Sequence, residues 1–555
     1  MKEKGKNFIE SIIDKDLNNG LSSQKLRFRF PPEPNGYLHI GHIKAIVLNF
    51  SLGQKYNAPV NLRFDDTNPI KEDALYIEEI KKDINWLGYQ WDQECYASDY
   101  FEQLYQWAHL LIDKGLAYVD SQSSEEIAQQ KGTPTRPGIP SKDRSRPIQE
   151  NKELFTQMKE GKFEQGRYVL RAKLSMDSPN MLLRDPVIYR IIYATHPKTK
   201  AQWCIYPMYD WTHGQSDFIE QVSHSLCSLE FMPHRALYNA FLTAILPQEK
   251  DLPFQREFSR LNVAYSMTSK RKIQKLISLG YVDGWDDPRL HTICALRRKG
   301  YTPQSLKRFV ELAGVSKRSK VIGLPLLEYC IREDLNLHAE RVMAVIDPIK
   351  LTIVNYEELY SEDITFEKNP QKPELGHQKV RFSRELYIER SDFMETPPKK
   401  FFRLSIGKQV RLKGAYVVQA ESVIQDQKDN VVEVRCIYYP DSKSGQSNGE
   451  SDYSHIKATI HWLSVQDAID AKANVFDRLL LSDDVDSQKE TDYQELINPN
   501  SKKTISIKIE KSLANAIEGN QYQFLRMGYF TADKGFDKEN RIFNKTATLR
   551  DSYKP

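Results

Sequence analysis

Three observations predict a multidomain α/β protein. The chain has 555 residues, and single hydrophobic cores stop growing near ~250–300 residues. Strand-like and helix-like periodicities alternate through the first hundred residues, the pattern of a parallel sheet with crossover helices. Beyond about residue 340 the helical patterns give way to short alternating strands separated by turns, as in barrels or sandwiches.

The elements follow in chain order. "FIESIIDKDL" has helical spacing and stops at Asn18-Asn19-Gly20. "KLRFRF" alternates like a strand, and from His42 to Tyr56 the residues Ile43, Ile46, Val47 and Phe50 fall at helical spacing. "APVNLRFDDTNP" predicts a second strand ending in a polar turn, and "YIEEIKKDINWLGY" a second amphipathic helix. "QQKGTPTRPGIPSKDRSRP" is a Pro/Gly-rich basic loop. "YVLRAKLSM", "VIYRIIYATH" and "AQWCIYPMYDW" then read as strands of a β-rich insertion within the first α/β unit.

Helical patterns return from Ser269 to about Leu337; in "TPQSLKRFVELAGV" Thr302 can cap the start and Gly314 marks the stop. Six segments of the last part alternate as strands: "AVIDPIKLTIVNY", "RELYIER", "KQVRLKGAYVVQAESVIQD", "VVEVRCIYY", "KATIHWLSV" and "TISIKIE". A Ser/Gly-rich loop is expected at 440–455 and an acidic one at 481–495.

Composition narrows the function classes. Charged residues are 28% and hydrophobic ones 40%, enough apolar material for several cores, so the chain is not a disordered one. Net charge is only +4, so a polyanion would be met by local basic patches and not by a global field. Six scattered cysteines contain no Cys-x-x-Cys pair, which argues against a disulfide framework or structural zinc and suits a reducing compartment. The N-terminus carries charges throughout, and nothing approaches the ~18 apolar residues of a membrane span. A soluble, cytoplasmic protein is expected.

Between the first strand and its helix lies "RFPPEPNGYLHIGH", residues 29–42. A strand, a tight turn and a helix N-terminus offer unpaired N–H groups and a favourable dipole to an anion. His39 and His42 are three apart and would become neighbours on one helix face. Gly41 between them would let a ligand approach the backbone, and paired imidazoles can donate to phosphate oxygens. Taken alone, an H-x-x-H pair reads better as surface or metal residues than as a phosphate site. A second stretch, "SMTSKRK" at 266–272, follows "EFSRLN"; alone it reads as a solvated basic face.

Together these phrases resemble the two signatures of class I aminoacyl-tRNA synthetases, H-I-G-H and K-M-S-K-S, in their glutamyl/glutaminyl form. The likeness runs over essentially the whole chain, through "NLRFDDTNPIKED", "LRDPVIYRI", "WCIYPMYDWTHGQSD", "HSLCSLEF", "GWDDPRL", "RVMAVIDPIKL" and "HWLS". Glu33-Pro34-Asn35 favours the glutaminyl branch, because glutamyl relatives tend to read A-P-S-P-T-G there. The resemblance implies a helical segment at 1–25 and a Rossmann-type catalytic core at 26–100 and 209–260. It further implies an acceptor-stem domain inserted at 101–208, a helical domain at 261–339 and two anticodon-reading β-barrels at 340–555.

The implied activity is ATP-dependent formation of glutaminyl-adenylate and transfer to the 2′-hydroxyl of the terminal adenosine of glutamine tRNA. ATP enters as substrate with Mg²⁺; no zinc and no membrane are implied, and the chain would be a monomer. His39, His42 and Lys270 would stabilise phosphate charge. Glu33, Pro34, Asn35, Gly41, Lys44, Ala45, Ser228, Arg260, Leu261, Thr268 and Ser269 would complete the ATP site. Asp65 would take the ammonium of glutamine and Tyr209 its amide, with Arg29, Cys227 and Gln255 lining the same pocket. A neutral Cys227 would leave a glutamate carboxylate uncompensated.

Arg341, Arg403, Arg411, Gln523 and Arg526 would read anticodon bases. The chain departs from the branch pattern at Thr268, where methionine is usual, and at Phe402 and Lys413, where a basic residue and arginine are usual. Met232-Pro233 replaces a more polar pair. Rival readings are a glutamyl or non-discriminating synthetase, a truncated tRNA-modifying paralogue, and a tRNA-binding protein without catalysis.

Overall fold

The computed structural model describes residues 5–445, 453–483 and 493–550. Much of the expected 440–455 and 481–495 loops therefore lies outside the described residues. The chain divides into two compact units, Met1–Asn262 with Val310–Ile322, and Val263–Phe309 with Gly323–Pro555. The expected helical segment 261–339 is thus shared between the units.

The first unit opens with the helix Phe8–Asn18, capped by Asn7 and Glu10. Strands Phe28–Phe30, Val60–Phe64 and Glu94–Tyr96 then pair in parallel with Val60–Phe64 in the middle. Every residue of the first two strands is buried, as a parallel sheet covered on both faces requires. The helix Ile40–Tyr56 lies between them in sequence and buries Ile43, Ile46, Val47 and Phe50, the four positions its spacing marks. A side chain on Gly53 would stand 2.4 Å from Val60, so glycine permits the close return of the chain from helix to strand. A second parallel pair, His224–Ser228 with Phe254–Phe258, is joined through the helix Arg235–Ile245.

The insertion holds an antiparallel sheet of Ala117–Asp120, Val169–Ala172, Val187–Ile191 and Ile205–Pro207. It is less purely β than the sequence suggests. Helices Phe101–Asp113 and Ile148–Lys159 contribute Phe101, Leu104, Leu111, Phe155 and Met158 to the core beneath the sheet. The expected strand over "AQWCIYPMYDW" ends at Pro207, and Tyr209–Ile219 is a helix. Trp211 through Asp217 are all buried there, so no polar face gives the helix an amphipathic signature.

The second unit carries the helices Lys270–Ser278, Ile293–Arg298 and Leu324–His338. Two seven-stranded sheets follow. In one, the edge strands Thr459–Ile460 and Leu463–Ser464 are separated by two residues of chain. In the other, the edges Glu340–Val342 and Ala344–Ile346 are separated by Met343 alone. Opposite edges so close in sequence require each sheet to curl round on itself, a barrel-like form that hides its edges. Their cores are built on Trp462, Phe382 and Leu412 in one and on Phe524, Phe530 and Phe543 in the other.

Candidate active site

The first unit encloses a cavity of about 520 Å³. The turn after the first strand, the start of the helix Ile40–Tyr56, the turn after Val60–Phe64 and the ends of the second parallel pair all contribute to its wall. This is the place where open α/β sheets bind ligands, beyond the carboxyl ends of parallel strands. Glu33, His39, Gly41, His42, Ala45, Asp65, Tyr209, Cys227, Ser228 and Arg260, all expected from the sequence, line it.

The two histidines are placed by their own backbone. The helix begins at Ile40, not at His42, with His39 as its N-cap. His39 Nδ1 accepts the Gly41 N–H at 3.1 Å, and His42 Nδ1 accepts the His39 N–H at 3.1 Å. A ring nitrogen that accepts carries no proton, so in the neutral rings the proton sits on Nε2 of each histidine. The ring centroids are 3.9 Å apart. The result is two adjacent Nε2–H donors at a helix N-terminus, where negative charge is favoured. A Cβ at Gly41 would stand 2.8 Å from His39 Cε1, so this cap needs glycine. The Leu261 carbonyl faces the same glycine, 3.5 Å from where that Cβ would be.

Other expected ATP-site residues stand apart from the wall. Lys44 is buried, donating to Ser259 Oγ at 2.9 Å; burial and the charge of Lys320 push its ammonium down to about 8. Pro34 and Asn35 form the turn ahead of the helix, with the Pro34 carbonyl accepting from Asp73 N–H. At the rim, Glu230 accepts from Ser228 Oγ at 2.7 Å and from Arg260 at 3.3 Å.

Asp65, Tyr209 and Cys227, the residues expected to hold the amino acid, lie on the same cavity wall. Asp65 accepts from Thr67 Oγ1 at 3.0 Å. Burial, reinforced by the charge of Glu33 and opposed by the Thr67 bond, pushes its carboxyl up to about 6. Tyr209 stacks on His213 with centroids 4.9 Å apart and tilts against Phe231 at 5.4 Å. Burial keeps the Tyr209 phenol protonated well beyond its usual range and holds His213 neutral, well below the usual imidazole range. Cys227 is likewise a neutral thiol, pushed up to about 12 by burial.

Arg29 and Gln255, expected to line this pocket, lie behind it. Arg29 is wholly buried: it donates to Asp217 Oδ1 at 3.0 Å, Leu226 O at 2.7 Å, Ser225 Oγ at 2.6 Å and His213 Nε2 at 2.9 Å. Arginine can only donate and a neutral imidazole accepts at one nitrogen, so the shorter contact makes Nε2 the acceptor, and Arg63 NH2, 3.3 Å from Nδ1, makes no bond to the ring. Although burial opposes it, Arg29 and Arg63 hold Asp217 ionised, well below the usual carboxylate range. Gln255 donates to Phe231 O and Glu257 Oε1, both at 2.9 Å. A strand of alternating apolar residues gives no sign that its one arginine faces inward; Asp217, eight residues from Ser225, supplies the partner.

His213, Arg190, Glu230, Thr67 and Phe231 line the cavity and were not singled out in the sequence. Arg190 lies in "LRDPVIYRI", a phrase that carries the resemblance, but its mid-strand place gave it no role of its own. His213 was visible as a polar residue four after Tyr209, but only a helix over 209–219 puts the two rings together.

Asp66, Glu72 and His196 form a compact group behind the Asp65 turn, the one such group among the described residues. His196 Nδ1 accepts the N–H groups of Lys198 and Thr199 at 3.1 and 3.0 Å, so Nε2 bears the proton and donates to Asp66 O at 2.8 Å. A protonated nitrogen cannot ligate a metal. His196 is fixed by these backbone bonds, while burial pushes Glu72 up to about 8 and its Oε2 has no hydrogen-bond partner.

The lysine-containing loop belongs to the second unit. Met267 is buried against Ile273, Leu276, Leu479 and Leu480, which anchors the loop one position before Thr268. Ser269 occupies the N-cap position of the helix Lys270–Ser278 without a side-chain capping bond, and Lys270 is its first residue.

In the barrel-like sheets, Arg341 and Gln523 are direct partners on adjacent parallel strands. Arg341 Nε and Gln523 Oε1 are buried without a hydrogen-bond partner. They are a donor and an acceptor on neighbouring strands, enclosed by the protein and left without a bond. Arg411 donates to Ser442 O at 2.7 Å. Arg403 and Arg526 both reach the buried Asp392. Phe402 is 78% exposed, with Lys399, Lys400 and Arg403 close by in sequence.

A pocket at parallel strand ends, two imidazoles at a helix start and two barrel-like sheets later in the chain are the arrangement expected from the synthetase resemblance. The family models agree: "tRNA synthetases class I (E and Q), catalytic domain" matches residues 25–337, and the two anti-codon binding domain models match 339–439 and 459–533. The chain belongs to the class I tRNA synthetases of this E and Q family.

Among its relatives, the glutamine–tRNA ligase of Vibrio campbellii is 49% identical over 549 residues, covering 99% of this chain and 97% of the relative. That of Clostridium perfringens is 48% identical over 554 residues, 100% of this chain and 99% of the relative. That of Bradyrhizobium diazoefficiens is 46% identical, covering 99% and 98%. Among the described residues no helix is long and apolar enough to cross a membrane.

Proposed function

We propose that this protein is a glutamine–tRNA ligase: it activates L-glutamine with Mg²⁺-ATP and esterifies the 2′-hydroxyl at the end of glutamine tRNA. The observation that carries the amino-acid choice is the pocket wall around Tyr209. Tyr209, His213, Phe231 and Cys227 are all uncharged, and Asp65 is the carboxylate nearest in role to an α-ammonium. A side-chain amide can pair with a phenol, whereas these four groups offer a glutamate carboxylate no cation.

In the first step the glutamine carboxylate attacks the α-phosphorus and pyrophosphate leaves. Negative charge grows on phosphate oxygens, and the Nε2–H groups of His39 and His42 are donors held in place before the reaction begins. Lys270 has the same task by its motif, and Glu33, Ala45, Ser228, Arg260 and Leu261 serve the nucleoside. In the second step the ribose hydroxyl attacks the adenylate carbonyl and AMP leaves. No covalent enzyme intermediate is needed. Arg29 and Gln255 act from behind, by fixing His213 and the floor near Phe231.

Arg341, Gln523, Arg403, Arg411 and Arg526 read anticodon bases, with Arg341 and Gln523 paired on adjacent strands. The protein works as a cytoplasmic monomer. Aminoacylation of glutamine tRNA, with Gln or Glu and ATP, tests the reading; pyrophosphate exchange is run with the tRNA present. Charging with Gln is expected, and efficient charging with Glu would overturn the amino-acid choice.

A further inference from the structure

Asp392 joins two arginines from different sheets. It is completely buried, between the strand Glu385–Glu389 and the segment that carries Phe402. Arg526, in the turn between Gln521–Phe524 and Gly528–Ala532, grips it with both terminal nitrogens: NH1 to Oδ2 at 2.6 Å and NH2 to Oδ1 at 2.7 Å. Arg403 NH1 reaches Oδ1 at 3.2 Å and also donates to Ser391 O at 2.9 Å. One carboxylate therefore fixes one face of each guanidinium, while the side chains of Arg526 and Arg403 remain 33% and 43% exposed.

The arrangement continues inward. Arg526 NH1 lies 3.2 Å from His461 Nδ1, and arginine only donates, so that nitrogen accepts and the ring's proton sits on Nε2. His461 Nε2 then donates to Glu389 Oε1 at 3.3 Å, and Glu389 accepts the Ile346 N–H. Arg526 itself has φ +67°, a left-handed conformation that a bulky residue adopts only when held. Burial opposes its charge, but the bond and charge of Asp392 raise its affinity for the proton above the ordinary guanidinium value.

We infer that Asp392 is a positioning residue for anticodon readout: it sets the spacing and orientation of Arg403 and Arg526, so that their outward N–H groups meet the bases in one fixed geometry. A flexible arginine attracts any phosphate, whereas an arginine locked on one face presents a rigid fork. Locking two to one carboxylate couples their positions across the two sheets. Asp392 itself need touch no nucleotide. The inference rests on the anticodon reading of Arg403 and Arg526 given above.

The test is steady-state aminoacylation by the full chain with glutamine tRNA and with the same tRNA substituted singly at each anticodon position. Asp392→Asn keeps the shape but puts an amide donor against a guanidinium. Its KM for the parent tRNA should rise about tenfold or more, as loss of a hydrogen bond to a charged group implies, with kcat at saturation unchanged. The ratio of kcat/KM between parent and substituted tRNA should fall by a similar factor. A merely structural role would weaken both tRNAs equally and leave that ratio intact, which would overturn the inference. Asp392→Glu, which keeps the charge but moves it by one methylene, is the second variant should Asp392→Asn not fold; an unchanged ratio there is equally fatal. Arg403→Ala and Arg526→Ala run alongside. If they too keep the ratio, the anticodon reading itself is at fault; if they lose it while a folded Asp392 variant does not, only the positioning role falls.

Discussion

The pocket of the first unit and the arginine cluster of the second treat charge in opposite ways. Around Tyr209 charge is removed: His213 is neutral, Cys227 is a thiol, and Arg29 is spent on Asp217 behind the wall. Around Asp392 charge is kept and aimed, with two guanidiniums tied on one face and exposed on the other. The difference follows from the ligands. On the proposed function, a small uncharged amide must be told from a carboxylate, and uncharged groups around Tyr209 would do that by giving the carboxylate no partner. A polyanion is attracted by any cation, so selectivity there needs orientation more than charge.

The comparison can be broken most severely at the phosphate chemistry, which should depend on a few fixed donors. Lys270→Ala should lower adenylate formation by roughly a thousandfold, the upper range for loss of one transition-state donor, with tRNA binding retained; pyrophosphate exchange and filter binding measure the two. Gly41→Ala places a Cβ against the His39 ring. It should cost about a hundredfold in kcat with an unchanged melting temperature, and an active variant would show that the cap geometry is dispensable.

Smaller effects sharpen the amino-acid end. Asp65 must be ionised to hold an ammonium, and its free-enzyme carboxyl is raised to about 6. The ionised form therefore predominates above that pH, and kcat/KM for glutamine should fall as pH drops through about 6. In Asp65→Asn that limb should vanish and KM for glutamine should rise by on the order of a hundredfold. Cys227→Arg supplies the missing cation; it should shift the Gln-to-Glu activation ratio toward glutamate by about tenfold, read by exchange with each amino acid. A ratio that does not move would mean that neutrality of this wall is not what selects the amide.

Parts of this site were plain in the chain. The helix Ile40–Tyr56 shows its buried stripe as a clean 3.6-residue period, and His39, Gly41 and His42 stand at its mouth in a recognisable order. The helix Tyr209–Ile219 was illegible for the opposite reason: all of its middle is buried, polar residues included, so periodicity has nothing to contrast. With it went His213 and the partner of Arg29. The shared role of Asp392 was equally hidden, because its partners at Arg403 and Arg526 are 11 and 134 residues away.

By itself the sequence determined the element types wherever one face meets water, and it marked residues whose pattern is local: the histidines at the helix start and the loop around Lys270. Only the tertiary structure decided which polar residues carry charge and which way they face. Protonation depends on burial and on partners distant in the chain, and neither is a property of spacing. The neutral His213, the withdrawn Arg29, the raised Asp65 and the tethered Arg526 are all of that kind.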